Sequence, residues 1–206
     1  KFIKGISVFK KIEPMLRQIF IKHNVPEDLI YLPQVESSFN INAYSKFGAA
    51  GLWQFTRGTG RIFLKIGYSI DERLDPFKST DAAARLLKKN FEFIKKWPLA
   101  ITAYNHGLNG INHAVKVAKS VDIVEIIQKY NGRAFGFASK NFYCEFLAAR
   151  KIMKNIDKYF PTYENIKIPE LKPIAITKFI DIKDVAKYLT LSVDDLARFN
   201  PSLRFP

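Results

Sequence analysis

Apolar residues recur at helical spacing from the start of the chain, with lysines and arginines between them, which is typical of an amphipathic helix. A second helix is predicted from Pro26 to Glu36, with a bend at Pro33, and a long amphipathic helix begins at Thr80. The apolar positions of the first helix are Val8, Ile12, Met15, Leu16, Ile19 and Phe20. Further helices are predicted at about 98–104, 110–129 and 138–158. The first 160 residues are therefore expected to be mainly α.

The helical pattern is interrupted after residue 160. The prolines of the next stretch are Pro161, Pro169 and Pro173. Proline restricts the preceding residue to extended conformations, so this stretch cannot continue a helix. Two short helices are predicted after it, with Ser192 as the N-cap of the second. The predicted division is a helical domain over 1–160, a Pro-containing linker over 161–173 and a small C-terminal extension over 174–206.

Residues 37–60 are rich in glycine, aromatic and amide side chains and are predicted to form a loop. No Asp or Glu lies between Glu36 and Asp71. A lone carboxylate at a helix end above such a loop indicates one proton-handling group in a sugar-binding cleft. Ordinary glycoside hydrolysis uses two carboxylates. A site with one must take its nucleophile from elsewhere.

The chain is strongly basic, with a net charge of +14, and residues 1–160 hold 26 basic against 13 acidic side chains. Such a field favours polyanions, among them nucleic acid, an anionic lipid surface and a carboxylate-bearing polymer such as peptidoglycan. It is equally compatible with plain solubility. No nucleic-acid reading motif is present, so no nucleic-acid partner is expected.

The single cysteine, Cys144, excludes an intramolecular disulfide, and it lies in an apolar helical run that favours burial over nucleophilic chemistry. The three histidines do not have metal-ligand spacing, so neither a metal nor a cofactor is expected. No apolar run is as long as a membrane span. The first residue is lysine and not methionine, which is typical of a trimmed chain from which an export signal could have been removed.

Four motifs, in order, resemble the soluble-type lytic transglycosylases, and most closely the membrane-bound lytic murein transglycosylase D group. They are Glu36-Ser37-x-Phe39, Ala43-x-Ser45, Gly48-Ala49-x-Gly51-Leu52-Trp53-Gln54 and Ala103-Tyr104-Asn105. The resemblance covers about residues 8–160. It implies a lysozyme-like, mainly helical fold and cleavage of the MurNAc–GlcNAc β-1,4 bond of peptidoglycan, leaving 1,6-anhydro-MurNAc ends. It also implies a monomeric enzyme that is periplasmic or secreted and associated with the cell envelope.

The resemblance also assigns site residues. Glu36 is the catalytic acid, and the substrate-binding residues are Ser45, Gln54, Trp53, Tyr104, Asn105 and Tyr143. Trp53 could stack on a sugar or be buried against Phe55. The family's late tyrosine falls at Phe142 or Tyr143, and we choose Tyr143 because it carries the hydroxyl.

The implied chemistry needs a single carboxyl group. Glu36 would first protonate the glycosidic oxygen and then accept the proton of the sugar's own C6 hydroxyl as that oxygen attacks C1. Because the nucleophile is intramolecular, neither water nor a second carboxylate is required. An acid of this kind works best with a raised pKa, which an apolar setting could supply.

Three other functions are weighed: a hydrolase, a cell-wall binding module, and a nucleic-acid binder, which the basic charge permits but no motif supports. A lysozyme-type hydrolase on the same fold, with de-N-acetylated peptidoglycan as one candidate substrate, would need a carboxylate to position water, and Asp71, Glu72 and Asp75 are the first candidates. A non-catalytic cell-wall binding module would not need Glu36. Residues 174–206 resemble the second half of a LysM glycan-binding repeat, but a packed extension of the catalytic domain is the favoured interpretation.

Overall fold

The computed structural model describes residues 2–161, 176, 178 and 180–204. Over these residues the protein is helical, and its β structure is confined to isolated bridges. The first eight helices are α1 (Phe2–Lys22), α2 (Leu32–Glu36), α3 (Arg57–Gly60), α4 (Pro76–Ile94), α5 (Trp97–His106), α6 (Leu108–Ala118), α7 (Ile123–Lys129) and α8 (Phe137–Met153). The last three are α9 (Ile156–Tyr159), α10 (Ile182–Tyr188) and α11 (Val193–Phe199). Two 3-10 helices, Glu27–Tyr31 and Glu72–Leu74, precede α2 and α4.

The predicted first helix is confirmed as α1, which buries one apolar face against the rest of the domain. Its buried side chains include Ile6, Phe9, Leu16 and Phe20. At Gly5 the helix approaches the segment after α2 so closely that a Cβ would lie 2.3 Å from the Ser38 carbonyl oxygen. The absence of a side chain at this position therefore lets α1 form one wall next to Glu36.

Helix α5 lies at the centre of the domain and packs on α4, α6 and α8. Ile101 belongs to the larger apolar cluster, which contains Trp53, while Leu99 and Ala103 belong to a second cluster around Ile126. The buried Asn90 of α4 donates a hydrogen bond to the Ala100 carbonyl at 3.2 Å. Because α5 joins both clusters, the residues at its end are held firmly.

Helix boundaries differ from the prediction in several places, and the long helix expected from Thr80 begins four residues earlier, at Pro76, as α4. The expected helix from Pro26 to Glu36 is a 3-10 turn followed by α2, so Pro33 stands near a helix start instead of bending a helix. The expected helix at 110–129 is α6 and α7, separated at Lys119, which has a φ of +52°. The expected helix at 138–158 is α8 and the short α9.

The C-terminal extension contains the two predicted short helices, α10 and α11, which pack on each other. The Ser192 side chain accepts a hydrogen bond from Asp195 N–H, so the predicted N-cap is confirmed. The chain that follows α11 lies against residues 69–71 of the helical domain. Apart from Pro161, the predicted linker over 161–173 lies outside the described residues. The LysM-like character and the division into domains stay predictions.

Candidate active site

Glu36 is the last residue of α2, and the backbone directly after it is strained. Ser38 and Phe39 have φ values of +53° and +56°, in the left-handed region that residues with a side chain adopt uncommonly. The fully buried Phe39 ring and the hydrogen bond from Ser37 Oγ to the Leu52 carbonyl (2.8 Å) hold this turn. The loop is thereby fixed against α2. Strain that the surrounding structure maintains is frequent at functional sites.

Glu36 also has the electrostatic character of a proton donor. Burial, together with the negative charge of Glu145, raises its pKa to about 8. A carboxylic acid with this pKa keeps its proton at neutral pH, whereas an ordinary glutamic acid has lost it. Glu36 can therefore act as a general acid at neutral pH.

The cavity in front of Glu36 has a volume of about 640 Å³, enough for a sugar-sized ligand. Among the described residues that line it, Glu36 is the one carboxylic acid, and the amide side chains are Asn40, Asn42 and Gln54. Tyr44, which is more than half exposed, also lines it. A second, mainly apolar cavity of about 750 Å³ lies between the start of α4 and the C-terminal helices and is lined by neither Glu36 nor any of the predicted substrate-binding residues.

Gln54 and Ser45 shape the loop next to this cavity. The Gln54 side-chain amide donates to the Gly51 carbonyl at 2.8 Å, so a contact of Gln54 with a sugar would involve its Oε1. Ser45 Oγ accepts the Ala49 N–H at 3.0 Å and the Phe47 N–H at 3.3 Å. Ser45 is thus engaged in a turn and is not among the residues that line the cavity.

The predicted stacking of Trp53 on a sugar is wrong in this structure. The Trp53 side chain is fully buried, and its indole N–H donates to Thr80 Oγ1 at 2.8 Å. Its ring stacks on Phe20, with centroids 5.6 Å apart. The other expectation was that Trp53 is buried against Phe55. Trp53 is indeed buried, but its ring stacks on Phe20 of α1, and Phe55 packs edge-on against Tyr104.

Tyr104, near the end of α5, lies close enough to Glu36 for the Glu36 charge to act on it. Its hydroxyl donates to the Trp53 carbonyl at 2.8 Å. Burial, with a further contribution from the Glu36 charge, raises the pKa of Tyr104 well above its usual value. Tyr104 therefore stays neutral and joins α5 to the loop that carries Gln54.

Asn105 and Tyr143 lie on the α5 and α8 side of the domain. Asn105 Oδ1 accepts a hydrogen bond from Ser139 Oγ at 3.0 Å, and His106 Nδ1 contacts the same hydroxyl at 3.2 Å. Phe142 is buried in the core, so Tyr143 is the more accessible of the two candidates for the late tyrosine. Neither Asn105 nor Tyr143 lines the cavity in front of Glu36.

Sequence reasoning missed Glu145, Ser139 and the cavity residue Tyr44. Glu145 is exposed on α8, which packs on α2, and its charge acts on Glu36. One signal was available, since Glu145 is the single acidic residue of α8. Its proximity to Glu36 depends on tertiary packing.

The three carboxylates proposed for a hydrolase all have other partners. Asp71 is fully buried and bonded to Arg73, with an Nη2–Oδ2 distance of 2.8 Å. Glu72 accepts the Lys65 N–H at 2.6 Å. Asp75 caps the N-terminus of α4. Each of these carboxylates thus stabilises local structure, and none lines the cavity in front of Glu36.

Comparisons with known proteins agree with this geometry. Residues 16–127 match the family described as Transglycosylase SLT domain. The membrane-bound lytic murein transglycosylase D of Escherichia coli (strain K12) is 31% identical over 195 residues, which cover 89% of this chain and 40% of that protein. The chain thus spans less than half the length of this relative.

Two solved structures share the fold at low sequence identity. The lytic transglycosylase Slt of Pseudomonas aeruginosa, solved as an inactive mutant, has a TM-score of 0.57 and 19% identity, covering 70% of this chain and 24% of that one. The 70 kDa soluble lytic transglycosylase of Escherichia coli has a TM-score of 0.53 and 20% identity, covering 68% and 24%. The mainly helical, lysozyme-like fold is confirmed, and the chain belongs to the Transglycosylase SLT domain family of lytic transglycosylases.

Proposed function

We propose that the protein cleaves the MurNAc–GlcNAc β-1,4 bond of peptidoglycan without water, with Glu36 as the general acid and then the general base. The observation that carries this proposal is the raised pKa of Glu36, about 8, in a cavity lined by amides. A protonated Glu36 can protonate the glycosidic oxygen. Once ionised, it can accept the C6 hydroxyl proton as the C6 oxygen attacks C1, which closes the 1,6-anhydro ring.

The sugar ring would be held by polar groups around Glu36. Gln54 and the two cavity asparagines offer amide groups that can hydrogen-bond saccharide hydroxyls, while Tyr44 offers an exposed aromatic face. The hydrogen bond from the Tyr104 hydroxyl to the Trp53 carbonyl holds the loop against α5. Asn105 and Tyr143 would contact the substrate on the α8 side.

The same proposal includes where the protein acts in the cell and its oligomeric state. The excess of basic residues within 1–160 favours adsorption to the anionic cell wall, so activity should fall as salt rises. The described residues contain no helix long and apolar enough to cross a membrane. We infer that the protein acts as a monomer in the periplasm or outside the cell, at the envelope.

The experiment is mass spectrometry of muropeptides released from purified sacculi, with Glu36→Gln in parallel. The expected products are lighter by one water than reducing-end muropeptides, and the variant should release none above background. The variant should still sediment with sacculi, because the amide replaces the carboxyl at equal size. Equal turnover by Glu36→Gln would contradict the assignment of Glu36, whereas retained sacculus binding with no turnover by the parent protein would favour a binding module.

One observation favours a second candidate, hydrolysis on the same fold. Glu145 supplies a second carboxylate, and its negative charge contributes to the raised pKa of Glu36. A pair of carboxyl groups is what a water-using glycosidase needs. Products with reducing ends, lost in Glu145→Gln, would support this alternative.

A further inference from the structure

A buried ion pair between Asp71 and Arg73 supports the loop of residues 48–55, which lies next to Glu36. Asp71 and Arg73 are 0% and 1% exposed, and such charges are stable in the interior only when they are well paired. Arg73 Nε donates to Asp71 Oδ1 at 2.9 Å and Nη2 donates to Oδ2 at 2.8 Å, a bidentate arrangement. Burial alone would raise the pKa of Asp71, but the bonds and charges of Arg73 and Arg204 hold it below its usual value.

The remaining nitrogen of the Arg73 guanidinium binds the loop itself. Nη1 donates to the carbonyl oxygens of Gly48 (2.7 Å) and Phe55 (3.0 Å). These two carbonyls bracket the segment that contains Gln54. Arg73 therefore ties together the two ends of the loop of residues 48–55, which contributes Gln54 to the cavity lining.

The loop backbone also packs directly on this arginine. Gly51 has a φ of +79°, and a Cβ at this position would lie 1.8 Å from the Arg73 carbonyl oxygen. Only glycine fits both the conformation and the space. A shift of Arg73 is therefore passed on to the loop by direct contact.

The far side of Asp71 is occupied by the C-terminal segment. Arg204 Nη2 donates to Asp71 Oδ2 at 2.6 Å. Two backbone hydrogen bonds secure the approach, from Asp71 N–H to the Ser202 carbonyl (2.7 Å) and from Arg204 N–H to the Ser69 carbonyl (2.9 Å). The Asp71 carboxylate thus joins two arginines that are 131 positions apart in the sequence.

We propose that Arg204 is a positioning residue for the cleft, acting through Asp71 and Arg73 on the loop of residues 48–55. The C-terminal segment that follows α11 is then a functional part of the catalytic unit, whether or not it binds glycan. Arg204 supplies the second cation to Asp71, which keeps both carboxylate oxygens oriented. Without Arg204, the Asp71–Arg73 pair is freer to move, and the loop moves with it. The inference rests on the proposed function for its catalytic readout.

The test compares Arg204→Ala and Arg204→Lys with the matched control Arg198→Ala, which removes an exposed arginine that contacts Asp195 of its own helix at 3.9 Å. With soluble glycan strands as substrate, Arg204→Ala should lower kcat/KM about tenfold. Arg204→Lys keeps the charge and should recover most of the loss. Arg198→Ala should match the parent protein.

Amide hydrogen exchange separates positioning from general destabilisation. In Arg204→Ala the peptide covering residues 43–55 should exchange faster, because it contains the amides of Gly51 and Ala50, bonded to Ala43 (2.8 Å) and Phe55 (3.0 Å). Amides of α4 should be unchanged. Unaltered kcat/KM together with unaltered exchange over 43–55 would overturn the inference. If the parent protein cleaves no glycan, the proposed function fails, and the exchange data alone decide the role of Arg204.

Discussion

The Tyr104 hydroxyl donates a 2.8 Å hydrogen bond to the backbone carbonyl of Trp53 and so joins the end of α5 to the loop of the cleft. The two residues are 51 positions apart in the chain. Trp53 in turn is anchored by its stacking on Phe20 of α1. Through this hydrogen bond and this ring stacking, the core of the domain fixes the position of the loop relative to Glu36.

Replacing Tyr104 with Phe should weaken this connection. The substitution leaves the Trp53 carbonyl without its donor, at a cost of about 1–3 kcal/mol in the free energy of unfolding. The turnover number should fall as well, since the loop is less well held. Urea unfolding and steady-state kinetics measure both effects, with Tyr68→Phe, at an 86% exposed position, as the control. A Tyr104→Phe protein with unchanged stability and turnover would show that the bond is dispensable.

Glu145→Gln should shift the pH dependence of the reaction. Part of the raised pKa of Glu36, about 8, comes from the negative charge of Glu145. Removing that charge lowers the pKa of Glu36, so the acid form is lost at a lower pH. The alkaline limb of the kcat/KM profile should therefore move towards neutral pH. Glu92→Gln, an exposed position on α4, is the matched control; an unmoved limb in Glu145→Gln would refute the coupling.

Glu36 should make folding stability depend on pH. Its pKa is raised from 4.5 to about 8 in the folded protein, so the folded state holds the proton more tightly than the unfolded state. The stability from the protonated form is present below pH 4.5 and is lost as pH rises towards 8. Glu36→Gln, which never ionises, should exceed the parent protein in stability by more than about 1 kcal/mol at pH 9. Urea titrations at pH 4 and pH 9 measure this difference, and an equal difference at both pH values would contradict it.

Trp53→Phe should affect stability and leave substrate affinity intact. The indole is fully buried and its N–H donates to Thr80 Oγ1, so the smaller ring leaves a cavity and removes this hydrogen bond, while the Thr80 hydroxyl still donates to the Pro76 carbonyl. The expected loss is about 2–4 kcal/mol of unfolding free energy. Binding to sacculi at a temperature where the variant is folded should equal that of the parent protein.

Tyr44→Ala is the complementary control for Trp53→Phe. Tyr44 lines the cavity and is 56% exposed, so its loss should weaken binding with little change in stability. The opposite pattern, with Trp53→Phe weakening binding and Tyr44→Ala neutral, would restore the sugar-stacking interpretation of Trp53.

The features of the candidate site that can be predicted from the sequence are the local ones. The helical apolar period of α1 and the acid-poor, Gly-rich stretch after Glu36 are visible in the chain itself. The role of Trp53 is not, because an indole suits both a core and a sugar platform. The buried position of Trp53 depends on its stacking with Phe20, 33 positions earlier, and on its hydrogen bond to Thr80, 27 positions later.

Long-range charge pairing is similarly hidden from the sequence. Asp71 looks like an available acid, and its neighbour Arg73 was the local sign of an ion pair. The second partner, Arg204, is 133 positions away and is brought near only by the docking of the C-terminal segment. The field of Glu145 at Glu36 likewise depends on the packing of α8 against α2.

The most direct test of intramolecular attack is digestion of purified sacculi in ¹⁸O-labelled water, with mass spectrometry of the released muropeptides. The C6 oxygen of the sugar closes the ring in our account, so the products should carry no ¹⁸O at C1 and should be lighter than reducing-end muropeptides by one water. Incorporation of one ¹⁸O atom into each new reducing end would show that water is the nucleophile and would contradict the account.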